Sequence, residues 1–189
     1  MIRVAIVGDI GSGKSYIAKL FNYPIFNADL EVAKIYKTNK QCFKGLKKKL
    51  PKYFSSFPVK KEEIIKAIVD NKKNLKKITK IVHPEIKKKL KIFLKNNRKE
   101  EAVILDIPLL LENKLNQKRD IIIFIKSKKI EIIKRLKKRN NFNLDLLNKF
   151  KKMQLSPSYK KKKSHFIIKN NFTNKSAKTS VRKIIKKIL

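Results

Sequence analysis

Gly8-Asp9-Ile10-Gly11-Ser12-Gly13-Lys14-Ser15 meets the pattern G-x-x-x-x-G-K-[ST] at every fixed position. Each fixed residue has a chemical reason. Glycines let the backbone curl so that successive N–H groups turn inward on phosphate oxygens. A helix opening at Lys14 adds its free N–H groups and the positive end of its dipole. Lys14 is expected on the β- and γ-phosphates, and Ser15 is expected to offer its hydroxyl to Mg²⁺. An accidental match arises in about one chain in a hundred of this length, with Gly near 7% of residues. Here there are only four glycines, and Gly8, Gly11 and Gly13 fall within six residues. Gly8, Gly11, Ser12, Gly13, Lys14, Ser15 and Tyr16 are therefore the expected nucleotide contacts.

The flanks supply the required context. Residues 2–7 are a continuous apolar run that reads as a buried strand, and Lys14 to about Asn22 reads as a helix. Further strands are expected at Pro24 to Asn27, Ala102 to Ile107, Asp120 to Ile125 and His165 to Ile168. Helices are expected from Asp29 toward Tyr36, over 128–139, from Asn143 to about Leu155, and over Lys175 to Leu189. Ser156 to Ser164 reads as a polar, Lys-rich loop. The stretch from about Asn39 to Asn97 reads as helical, broken at Pro51, Pro58 and Pro84, with Pro84 opening a helix at its first position. Strands alternating with helices imply an α/β fold with a parallel sheet covered on both faces. The expected architecture is a P-loop NTPase three-layer α/β/α domain over 1–189. Its core spans about 1–38 and 99–189, its helical acceptor-binding insertion about 39–98, and its small lid about 140–164.

In such sheets ligands lie at the carboxyl ends of the strands, where Asp29 and Asp106 both fall. A carboxylate there can accept the proton of an acceptor hydroxyl, and Asp29 is the candidate. Its structural alternative is a helix N-cap. Asp106 reads either as an acid holding a Mg²⁺-bound water or Ser15, or as a strand-end carboxylate satisfied by a turn. Arg135 and Arg139 are four residues apart on one helix and read as a phosphate clamp, or else as part of a solvated basic face. His83 reads as structural. No His/Cys cluster has the spacing of a zinc site.

The net charge of +37 raises the possibility of nucleic-acid binding. Only six of the 51 basic residues are Arg, however, and the lysines spread along the whole chain. Lys, Asn and Ile are all abundant, as an AT-rich coding bias would produce. No specific nucleic-acid partner is expected. The apolar runs are too short for a membrane span, and the N-terminal run is too short for a signal peptide. The lone Cys42 excludes an internal disulfide and fits a reducing cytoplasm. The oligomeric state is left open.

The guanine-reading Asn-Lys-x-Asp motif is absent, and the strand ending at Asp106 is not followed by Glu as in motor-type ATPases. A small-molecule kinase with ATP and Mg²⁺ remains. Phe26-Asn-Ala-Asp29-Leu-Glu-Val-Ala33, His83-Pro84-Glu-Ile86, Leu105-Asp-Ile-Pro-Leu-Leu-Leu-Glu112, Lys134-Arg135 with Arg139, Gln154 and His165-Phe-Ile-Ile-Lys-Asn-Asn171 follow one another in a characteristic order. In that order and spacing the chain resembles the dephospho-CoA kinases, the enzymes of the last step of coenzyme A synthesis. The resemblance implies that ATP phosphorylates the ribose 3′-hydroxyl of dephospho-CoA, and it points to Asp29 as well. The chain departs from the family pattern at Asp9 for Gly, Tyr16 for Thr, Asn27 for Asp, Lys61 for Arg, and Lys160 to Lys163 where the lid has Arg. Asp9 is expected to turn its carboxylate away from the triphosphate. The alternatives are another small P-loop kinase acting on a nucleoside, nucleotide or sugar, and a basic nucleic-acid-binding protein.

Overall fold

The computed structural model describes residues 1–138 and 143–189. The chain divides into two compact units, Met1–Asn27 with Asn96–Leu189, and Ala28–Lys95.

The first unit holds a sheet of five strands: β1 (Ile2–Gly8), β2 (Ile25–Asn27), β3 (Ala102–Asp106), β4 (Ile121–Lys126) and β5 (Phe166–Lys169). Their order is β2-β3-β1-β4-β5, and every pairing is parallel. Parallel strands need covered faces, and these have the composition for it: all five residues of β3 are buried. Helix α1 (Lys14–Leu20) and the C-terminal helix, Asn174–Ile188, bury Ile17, Ala18, Ala177, Val181 and Ile184 against Val4, Ile6, Ile104, Ile123, Ile125 and Ile168. Buried aliphatic residues of β1, β3, β4 and β5 thus meet the buried faces of the two helices. At the amino ends of the strands, Arg3 pairs with buried Asp120 at 2.9 Å, joining β1 to the start of β4. Burial pushes the Asp120 carboxyl above its ordinary value, against the opposing pull of the Gln117 N–H and Arg3.

The second unit contains helices only: α2 (Ala28–Thr38), α3 (Lys40–Lys49), α4 (Lys61–Asp70) and α5 (Lys72–Asn96). Asn39 caps α3 by accepting the Cys42 N–H at 2.8 Å and donates to Glu85 on α5 at 3.1 Å. Cys42 is buried beneath this junction, and burial pushes its thiol up to about 11. The thiol is therefore a core group rather than a nucleophile.

Helix α5 corrects the expectation of a break at Pro84, which lies inside 25 continuous helical residues. Proline removes the N–H that would bond the Lys80 carbonyl and crowds that carbonyl. The helix continues because Ile78, Val82, Ile86 and Leu90 form one buried stripe across the proline, and tertiary burial outweighs the local cost.

The remaining elements of the first unit are α6 (Lys129–Lys137), α7 (Leu144–Met153) and α8 (Pro157–Lys162), followed after β5 by α9 (Asn174–Ile188). Helix α8 is the second correction, because 156–164 had the composition of a loop. Ser156 caps the helix by accepting the Tyr159 N–H at 3.2 Å, and Pro157 occupies its first turn. No helix among the described residues is long and apolar enough to cross a membrane.

Candidate active site

The turn between β1 and α1 has the phosphate-loop conformation that the pattern predicts. Ser12 N–H donates to the Asp9 carbonyl at 3.1 Å, closing the turn. The Ser12 carbonyl is then held by two side chains, Ser127 Oγ at 3.0 Å from beyond β4 and Asn170 Nδ2 at 2.9 Å from beyond β5. Sequence reading did not single out Ser127, and it met Asn170 only within the segment His165 to Asn171. The signal was their position just past the carboxyl ends of strands neighbouring the loop.

Two glycines are required sterically. Gly13 has φ 91°, and a Cβ on it would strike Asn170 Nδ2. A Cβ on Gly11 would come within 3.0 Å of Ile132 and Leu136, so α6 packs directly on the loop. Gly13→Ala combines left-handed backbone on a β-carbon residue with displacement of the Asn170 clamp. It should cost about 2–3 kcal/mol of stability, read as a lower urea midpoint at unchanged slope.

Lys14 folds back over the loop, its ammonium donating to the Gly8 carbonyl at 3.2 Å and the Asp9 carbonyl at 2.8 Å. Ser15 is exposed in the first turn of α1. Tyr16 is exposed, and its hydroxyl donates to Asn174 Oδ1 at 2.8 Å. Ser12 Oγ is buried without a hydrogen-bond partner, a donor held within the turn.

Asp106 ends β3 next to β1, one residue beyond the Ala5–Leu105 pairing. It is buried, and its Oδ2 accepts from Asn27 Nδ2 at 2.7 Å across the β2–β3 register. Asn27 at this position places a donor, not a second carboxylate, against Asp106. Asp29 follows two residues later in the first turn of α2 and is exposed.

Arg135 lies with its guanidinium 4.4 Å from the centroid of the Phe172 ring, a stacking geometry. Phe172 has φ 64° and packs on the cluster of Ile132, Leu136 and Leu147. The partner proposed for Arg135 in a clamp, Arg139, lies outside the described residues. Glu112 holds the segment that follows α7: its Oε1 accepts the Leu155 N–H at 2.9 Å and pairs with buried Lys160 at 3.0 Å. That lysine, expected among the lid cations, is thus engaged inside the protein.

Among the described residues no three His, Cys, Asp or Glu side chains cluster as a metal cage. Mg²⁺ commonly takes one or two protein oxygens and completes its octahedron with phosphates and water. Ser15 at the start of α1 and Asp106 at the end of β3 are the oxygen-bearing side chains that could hold such an ion.

The family profile described as dephospho-CoA kinase matches residues 2–176. This chain belongs to the dephospho-CoA kinase family. The dephospho-CoA kinase of Wolbachia pipientis wMel is 28% identical over 187 residues, covering 96% of this chain and 95% of that protein. Among solved structures, TT1252 from Thermus thermophilus is 23% identical with a TM-score of 0.80, covering 100% of this chain and 97% of the other. The dephospho-CoA kinase from Campylobacter jejuni is also 23% identical, with a TM-score of 0.63 over 100% of this chain and 98% of that one. At these identities the two structures establish the shared fold. The family match makes the chain a kinase with ATP as co-substrate and small-molecule substrates. It also favours that reading over a nucleic-acid binder.

Proposed function

We propose that this chain transfers the γ-phosphoryl group of ATP to the ribose 3′-hydroxyl of dephospho-CoA, giving CoA and ADP. The observation that carries the reading is the formed phosphate loop, with Lys14 laid across it, in a chain matched over nearly its whole length by the family. Mg²⁺ bound by Ser15 and Asp106 would neutralise charge on the β- and γ-oxygens. The loop N–H groups and Lys14 orient the triphosphate. The acceptor oxygen bonds to the γ-phosphorus as the bond to the β–γ bridging oxygen breaks, and ADP leaves with that electron pair. Asp29 takes the hydroxyl proton. Arg135 and Arg139 contribute positive charge toward the transferring group. The helical unit Ala28–Lys95 is assigned to the acceptor, and about 140–164 to a lid. A single buried cysteine fits the reducing cytoplasm as the place of action.

A coupled ADP-release assay over a panel of acceptors tests this. Dephospho-CoA should give turnover well above the water background, while nucleosides, nucleotides and sugars give little. Turnover of another acceptor with none on dephospho-CoA would overturn the reading.

A further inference from the structure

We infer that the neutral, amide-bearing pantetheine arm of the acceptor is received by a cavity beside the phosphate loop, within the first unit. The inference rests on dephospho-CoA being the acceptor. The cavity has a volume of about 320 Å³ and is walled by Ile10 of the loop, Ile132 and Ile133 of α6, and Leu155 and Pro157 at the start of α8. Pockets of this size and character take small organic groups, with a few polar residues setting orientation.

Three features select the arm over other parts of the substrates. First, the cavity includes Asp9 and Ile10, so it borders the loop read as the phosphate cradle. Second, its walls are mainly aliphatic, while Gln154 and Ser156 line the same space. A carboxamide gives and takes hydrogen bonds, which suits an amide-containing chain. Third, its charges are mixed. Lys129 and Lys151 line it and provide cations for the diphosphate that joins the arm to the nucleoside. Asp9 adds a carboxylate that disfavours a bare phosphate inside.

The wall is also built in advance. Glu112 binds the Leu155 N–H and the buried Lys160 ammonium, and Ser156 caps α8. A side of the cavity fixed by a buried ion pair needs little ordering when the ligand arrives. The same arrangement explains a lysine that is 1% exposed in a segment otherwise rich in surface lysines.

The test compares two acceptors in the full chain: dephospho-CoA, and ADP capped as its methyl ester, which keeps the ribose and diphosphate but has no arm. Ile133 is 43% exposed, so Ile133→Glu and the milder Ile133→Ser leave the core intact. Ile133→Glu should lower kcat/KM for dephospho-CoA about tenfold, in the range expected for lost apolar contacts in a pocket. It should leave kcat/KM for the methyl-capped acceptor within twofold, and Ile133→Ser should fall between wild type and Ile133→Glu. Equal losses on both acceptors, no loss on either, or a rise confined to the KM for ATP would each overturn the inference. Wild-type protein that ignores dephospho-CoA would instead remove the functional reading beneath it.

Discussion

Lys14→Ala should lower kcat by about 10²–10³-fold, the scale lost when one preorganised charge-stabilising donor is removed from a transition state. The ammonium already lies on the loop, 2.8 Å from the Asp9 carbonyl, so little reorganisation separates that position from a bound triphosphate. Negative charge shifts toward the leaving β–γ oxygen as the bond breaks, and a methyl group cannot answer it. The fold should survive. The turn is held by Ser12 N–H on Asp9 and by Ser127 and Asn170 on the Ser12 carbonyl, none of which uses the lysine side chain. The measurement is ADP release at saturating substrates, paired with a thermal melt. A kcat within tenfold of wild type, with an unchanged melt, would remove Lys14 from its role.

Asp29→Asn should cut kcat by about 10²–10⁴-fold, the contribution of a positioned general base, while the Kd for ATP changes less than threefold. The substitution separates two roles that one carboxylate can fill. Asp29 lies inside the first turn of α2 rather than at its N-cap, so Asn there loses only the modest benefit of a negative charge near the helix start. A structural role is therefore kept by the amide, and the ability to accept a proton is lost. A kcat near the wild-type value would falsify the assignment to proton transfer. Binding of ATP, followed by calorimetry, distinguishes a lost base from a disturbed donor site.

Much of the architecture was readable because its signals are local. The strands are short apolar runs whose isoleucines and valines cannot be accommodated except under cover on both faces. Their alternation with helices then requires parallel pairing, as observed in all four neighbouring pairs. The loop was readable because its glycines mark backbone conformations that other residues resist.

The misreadings occurred where a distant contact outweighed a local preference. Pro84 carries a strong helix-breaking signal, yet a buried stripe of four aliphatic residues carries α5 through it. The segment after Ser156 has loop composition, yet it folds as α8 around a lysine paired with Glu112, 48 positions earlier in the chain. The stacking of the Arg135 guanidinium on Phe172, which follows β5, was likewise not legible in the spacing of Arg135 to Arg139.

The amino-acid sequence alone determined that a glycine-rich turn of the phosphate-loop pattern joins the first strand to the first helix. It also determined that the sheet is parallel, and, through the order of its motifs, which family the chain joins. Those properties follow from backbone stereochemistry and from apolar periodicity, both of which act over a few residues. Only the tertiary structure decided how the loop is clamped, by Ser127 and Asn170 on the Ser12 carbonyl. It alone set an amide of Asn27 against the carboxylate of Asp106, and it alone buried Lys160 against Glu112. A hydrogen bond or ion pair between residues far apart in sequence depends on strand register and helix packing, and no local pattern encodes the distance between its two atoms.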